Sequence, residues 1–67
     1  SLNFTNPITN GKLQFDSDVT GDYEIYSIEG RLLDSGFVSG NEIDVSQLKQ
    51  GMYLLKINGV GYKFVVE

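Results

Sequence analysis

The stretch QGMYLLKING, residues 50–59, decides the fold class of this 67-residue chain. In an extended strand residues i, i+2 and i+4 share a face, so Tyr53, Leu55 and Ile57 form one apolar stripe. The stretch closes with Asn58-Gly59, a residue pair that suits the type I′ turn of a two-residue β-hairpin. It therefore predicts a core strand that runs into a hairpin turn.

The same two-residue period recurs in the other apolar segments. Leu13 and Phe15 face together in residues 11–16, and Tyr23 faces with Ile25 in residues 22–28. No window of ten residues keeps a helical period, and we expect one helical turn at most, near residues 45–49. In the remaining strands the residues expected to point inward are Leu32, Phe37, Ile43, Val45, Leu48, Tyr62, Phe64 and Val66.

Glycine-containing pairs separate these segments at intervals of about 8–12 residues, the spacing typical of a sandwich or barrel. Because no helix intervenes, antiparallel pairing in two packed sheets is the simplest arrangement. We therefore expect an all-β antiparallel β-sandwich of six to seven short strands, folded as a single domain over residues 1–67. The expected turns are Asn10-Gly11, Gly21-Asp22, Glu29-Gly30, Gly40-Asn41 and Asn58-Gly59.

Composition narrows the possible functions. The chain has no cysteine and no histidine, which excludes disulfides, thiolate nucleophiles and imidazole acid–base chemistry. Five basic residues against nine acidic ones give a net charge of −4, which argues against nucleic acid and anionic membranes as partners. We expect neither an enzyme nor a cofactor.

Acidic residues at 16–22 resemble part of a calcium-binding loop. Asp16, Asp18 and Asp22 have a suitable spacing, but Ser27 stands where an EF-hand loop has its bidentate glutamate. A polar turn between two strands explains the same residues. We therefore predict no metal site, and Asp16, Asp18 and Asp22 are kept only as a weak candidate for a calcium loop.

Aromatic side chains leave a second function open. The inward stripes take up part of the eight aromatic residues, and Tyr23, Tyr26, Phe37 and Tyr62 remain as candidates for exposed rings. Exposed rings would suit a carbohydrate-binding accessory β-sandwich of a secreted glycoside hydrolase, although packing is their usual role in a small domain. A passive immunoglobulin-like spacer is the third possibility.

Several short motifs occur in a fixed order along the chain. An Asn-Pro pair stands near the start, a glycine precedes the first inner strand, and a Gly-Arg pair follows the second. A Leu-x-x-Gly-x-Tyr-x-Leu-Lys stretch comes next, and then a final strand with a basic residue and phenylalanine. The residues are Asn6, Pro7, Gly11, Gly30, Arg31, Leu48, Gly51, Tyr53, Leu55, Lys56, Lys63 and Phe64. In this order and spacing they resemble the C-terminal sorting domain of the type IX (Por) secretion system of Bacteroidetes.

The resemblance implies an immunoglobulin-like, non-catalytic targeting module within a larger exported protein. Its partners would be an outer-membrane secretion translocon, a sortase-like peptidase and a covalently linked N-terminal passenger, such as a hydrolase or adhesin. Its destination would be the cell surface or the medium, reached through the periplasm and outer membrane. The last hairpin, residues 51–57 with 62–66, is expected to offer an edge for strand addition. Oligomeric state stays open.

Overall fold

A computed structural model describes residues 2–67, and it is built from four strands in one antiparallel sheet. The strand order across the sheet is β2-β1-β3-β4. The all-β class is confirmed, and no helix in residues 2–67 is long and apolar enough to cross a membrane. The strands are β1 (Lys12–Ser27), β2 (Leu32–Asp44), β3 (Gly51–Ile57) and β4 (Val60–Val66).

The sandwich of six to seven strands is not confirmed, because two expected turns lie inside long strands. Gly21 pairs with Val38, and Gly40 pairs with Val19, so the ladder between β1 and β2 continues through both glycines. A glycine next to a polar residue indicates a turn only by composition. Here the cross-strand pairing continues through Gly21 and Gly40, which adopt positive φ of 155° and 146°, and four strands result.

The two long strands bend around the core. A straight strand of 16 residues would span about 50 Å, but the longest dimension of the molecule is 25 Å. The β1–β2 ladder is interrupted between two pairs, that of Gln14 with Glu42 and that of Val19 with Gly40. Residues 15–18 of β1 therefore face only Asn41 of β2, and such irregularities bend a strand. One curved sheet thus encloses the space that two packed sheets would.

Residues 3–8, here called the N-terminal strap, connect the start of β1 to the outer edge of β4. The Thr5 N–H donates to the Gln14 carbonyl at 3.0 Å. Farther along, the Ile8 N–H donates to the Val65 carbonyl at 2.7 Å, and the Ile8 carbonyl accepts from the Glu67 N–H at 2.9 Å. The strap therefore closes the open side of the curved sheet.

One apolar cluster fills the enclosed space, and it contains no buried polar residue among residues 2–67. Most of the residues that were expected to point inward belong to this cluster. The expectation is wrong for Leu32 and Phe37, which are 51% and 63% exposed. Leu33 is an extra residue between the pairs that Leu32 and Asp34 make with β1, so Val38 faces inward instead. The core is Ile8, Leu13, Phe15, Val19, Ile25, Val38, Ile43, Val45, Leu55, Ile57, Phe64 and Val66.

The two connections that flank β3 follow local chemistry. The expected Asn58-Gly59 turn is confirmed, with φ of 51° and 79° at its two central residues. The expected helical turn near residues 45–49 is reduced to one hydrogen bond, from the Leu48 N–H to the Val45 carbonyl at 3.0 Å. Asp44 ends β2 by accepting the Ser46 N–H at 2.8 Å. The connection between β2 and β3 carries the chain across β1, which lies between these two strands in the sheet.

Replacing Ile8 by alanine tests whether the strap belongs to the fold. Ile8 is fully buried, so we expect Ile8→Ala to lower the free energy of unfolding by about 2–5 kcal/mol. The neighbouring exposed Thr9 supplies a control, since Thr9→Ala should change it by less than about 0.5 kcal/mol. Urea unfolding followed by circular dichroism measures both values. Equal effects of the two substitutions would show that the strap does not contribute.

Acid should weaken the fold partly through Asp44. Hydrogen bonds from Ser46, helped by the charge of Lys12, hold the pKa of Asp44 below its ordinary value of 3.8. The contribution of Asp44 is complete above the unfolded pKa and is lost as pH falls through the lower folded pKa. Wild type should therefore lose more stability than Asp44→Asn between pH 7 and about pH 3. Parallel pH profiles in urea unfolding would contradict this expectation.

Candidate functional site

Four of the motif residues line one cavity of about 460 Å³ at the end of the sheet. We call it the motif pocket and define it by Arg31, Leu48, Gly51 and Tyr53. Arg31 comes from the turn between β1 and β2, Leu48 from the connection that follows β2, and Gly51 and Tyr53 from the start of β3. The fold therefore unites two motifs that are separated in sequence.

The turn between β1 and β2 holds Arg31 in place through its backbone. Ser27 donates its N–H to the Arg31 carbonyl at 2.9 Å, and its side-chain oxygen accepts the Arg31 N–H at 3.2 Å. Gly30 has a φ of 92° and donates its N–H to the Ser27 carbonyl at 2.9 Å. The Arg31 side chain is exposed and takes part in none of these bonds.

Tyr53 connects the motif pocket to the core. Its ring stacks on buried Phe64 at 5.6 Å between centroids, and its hydroxyl donates to the Lys49 carbonyl at 2.6 Å. Gly51 has a φ of 156°, a backbone conformation rare for residues with a side chain. Tyr53 and Gly51 thus have clear structural duties at the strand entrance.

Basic and apolar side chains give the pocket its character. Arg31 and Lys49 line it together with a single acid, Glu29. Exposed Ile28 and Met52 add apolar surface to the same lining. Within residues 2–67 the one ion pair joins Lys12 to Glu42 at 3.4 Å, so both pocket cations are available to a partner.

Sequence reasoning missed several lining residues of this pocket. Lys49 and Met52 lie inside the recognised stretch, between Leu48 and Tyr53, and their position was the signal that could have identified them. Ile28 is the first residue of the turn that carries Arg31, although it was expected to lie on a strand face. The signal for Ile28 was its place beside Glu29-Gly30, the expected turn, where an apolar side chain has no core to enter.

The other motif candidates lie elsewhere. Asn6, next to the cis Asn6-Pro7 peptide, accepts the Val65 N–H on its side-chain oxygen at 2.9 Å, which fixes the strap to β4. Gly11 accepts the Val45 N–H through its carbonyl at 2.9 Å. Leu55 and Phe64 are core residues, whereas Lys56 and Lys63 are exposed on the face of the sheet opposite the core and do not line the motif pocket.

The expectation of a polar loop at residues 16–22 is wrong, because Asp16, Asp18 and Asp22 all belong to strand β1. Extended backbone spreads such residues along the strand instead of gathering them around one point. Residues 2–67 contain no group of three or more acidic, histidine or cysteine side chains that could hold a metal ion. The structure thus does not bring the three aspartates together.

The aromatic residues are mostly committed to contacts within the fold. Tyr26 donates its hydroxyl to Glu24 at 2.8 Å, and this hydrogen bond raises the pKa of Tyr26 above its ordinary value. The Tyr62 hydroxyl accepts the Leu2 N–H at 3.2 Å, and its ring packs edge-on against Phe4. Phe37 is the aromatic side chain that projects furthest into solvent within the described residues.

Comparison with known proteins identifies the family. Searches of curated proteins and of solved structures each found no match. The family model described as "Secretion system C-terminal sorting domain" matches residues 4–67, nearly the full length. The match includes both the strap and the motif pocket. The chain therefore belongs to the secretion-system C-terminal sorting domains, the non-catalytic sorting signals of type IX secretion.

Proposed function

We propose that this domain carries a covalently attached N-terminal passenger to an outer-membrane translocon, and that the motif pocket is the surface the machinery binds. The family gives the general role, a signal for export to the cell surface or the medium. A sortase-like peptidase then separates the domain from the passenger. The passenger, a hydrolase or an adhesin, supplies any catalytic activity.

The convergence of motif residues carries this proposal. Arg31 and Leu48 are 17 positions apart in sequence and line the same cavity. Leu48, Gly51 and Tyr53 also serve packing or backbone geometry, so their presence in the motif has a structural reason. The Arg31 side chain has no such duty within residues 2–67. A requirement for its charge during recognition explains why a motif would contain it.

Truncation of the C-terminal strand cannot test recognition cleanly. Phe64 is fully buried and Val66 is nearly so, and both would be lost with residues 63–67. Removal of buried side chains of this size costs several kcal/mol, a large part of the stability of a small domain. Failure of export would then report unfolding as readily as lost recognition. A surface substitution is the sharper experiment.

Arg31→Ala in a reporter fused ahead of the domain provides that experiment. We expect export to fall by about tenfold, which corresponds to about 1.4 kcal/mol of lost recognition. The matched control is Lys12→Ala, which removes an exposed charge and a surface ion pair of little energetic value. The fraction of reporter outside the cell is measured for each variant, and thermal unfolding is measured on the purified domains.

Both variants should unfold within a few degrees of wild type. Normal export of Arg31→Ala would contradict recognition through the motif pocket. Equal loss of export in the two variants would show a general dependence on surface charge instead.

A further inference from the structure

Strand β2 has an outer edge that nothing in residues 2–67 covers. It has 13 residues and pairs with a neighbouring strand, β1, on one side only. The other sheet edge, at β4, is partly closed, because the strap binds the outward backbone groups of Val65 and Glu67. The last hairpin was expected to offer an edge; its strand β4 is an edge strand that the strap covers at its C-terminal end, whereas β3 is an interior strand.

The alternation of antiparallel pairing shows which backbone groups are open. The Ser27 N–H donates to the Arg31 carbonyl and so points toward β2. Because the backbone groups of a strand point to alternate sides, every second residue of β1, including Tyr23 and Ile25, also bonds toward β2. Their partners are Gly36 and Asp34. The alternate residues of β2 direct their N–H and carbonyl groups outward, away from β1. These residues are Ser35, Phe37 and Ser39.

A hydrogen bond supports this assignment independently. The Ser35 N–H donates a hydrogen bond to the carboxylate of its neighbour Asp34 at 2.9 Å. A backbone donor that has no partner on a neighbouring strand is expected to find such a side-chain acceptor. Protected edges carry lysine, proline or bulges; residues 32–44 contain no lysine or proline, and the irregularities at Leu33 and Asn41 leave residues 34–40 regularly paired with β1. Phe37, at the middle of the edge, is 63% exposed. The edge is therefore open to an added strand.

Charge selects the kind of strand that fits. Strands β1 and β2 contain seven acidic residues and one basic residue, a net charge of −6, whereas the rest of the chain has a net charge of +2. A cavity of about 500 Å³ beside the edge is lined by Phe37, Asp22 and Glu24, and by one cation, Lys56, which pairs with Glu24 from β3. A lysine or arginine there would meet two carboxylates against one ammonium group, and the face of an aromatic ring.

Reach is sufficient for these contacts. Neighbouring strands lie about 4.8 Å apart, so an added strand would run about 10 Å from β1. Glu24 pairs with Ser35, and the small serine leaves the path toward the carboxylate open. An extended arginine side chain and the glutamate side chain together bridge that distance.

We propose that the outer edge of β2 binds an extended basic–apolar segment of a partner protein by strand addition. The N–H and carbonyl groups of Phe37 and Ser39 pair with the added backbone, and Asp22 and Glu24 bind its cationic side chains. The site is separate from the motif pocket, so Arg31→Ala should leave this binding unchanged. A second copy of the chain fits less well, because two β2 edges would bring like charges together.

The probe is a capped eight-residue peptide that alternates valine and lysine, with a valine–glutamate peptide as its control. We expect the basic peptide to shift and protect the amides of Phe37 and Ser39 in NMR spectra of the labelled 67-residue chain. Its affinity should exceed that of the acidic peptide at least tenfold and should fall with added salt. Phe37→Lys should weaken binding about tenfold, whereas Met52→Lys, an equally simple change of an exposed apolar residue, should not.

Both substituted residues are exposed, so the variants should fold, and Ser39→Lys provides a second change at the edge. Equal binding of the two peptides, shifts centred on β4 or the motif pocket, or no binding would overturn the proposal. Shifts of the β2 amides that grow with protein concentration in the absence of peptide would also overturn it, in favour of pairing between copies.

Discussion

Closure of the curved sheet by the N-terminal strap is the constraint on which the rest of the structure depends. A four-stranded sheet has one face to cover, and this chain has neither helix nor disulfide to cover it within the described residues. Bending of β1 and β2 encloses most of the core, and Ile8 completes it beside Val66. The hydrogen bond from the Val65 N–H to Asn6 fixes the strap at the same point. The two ends of the described chain thus meet.

The motif residues divide into those that maintain the fold and those whose side chains face solvent. Tyr53 belongs to both groups, because its ring packs on Phe64 while its other side lines the motif pocket. Arg31, Lys56 and Lys63 are exposed, with no ion pair in residues 2–67. The motif pocket therefore exists only in the folded domain, because it forms when the turn after β1 and the start of β3 are brought together.

Local pattern predicted the strands and most of the core but not their long-range pairing. Asn58-Gly59 was predictable because both residues must adopt positive φ in so tight a turn. Gly21 and Gly40 were misjudged because the pairing of β1 with β2, a tertiary effect, keeps them inside the strands in spite of their positive φ. The extra residue Leu33 reversed the faces of β2, and no local signal marks it. The pairing of Ile8 with Val66 joins opposite ends of the sequence, which periodicity cannot reveal.

Native-state hydrogen exchange of the backbone amides tests most directly whether the strap closes the fold. The amides of Ile8, Val65 and Glu67 are hydrogen-bonded only through this closure. If the closure is part of one cooperative unit, Ile8 and Val65 should exchange with a free energy near that of Leu55, which lies in the centre of the sheet. Exchange of Ile8 and Val65 at the rate of a frayed terminus, while Leu55 stays protected, would contradict a fold that depends on the strap.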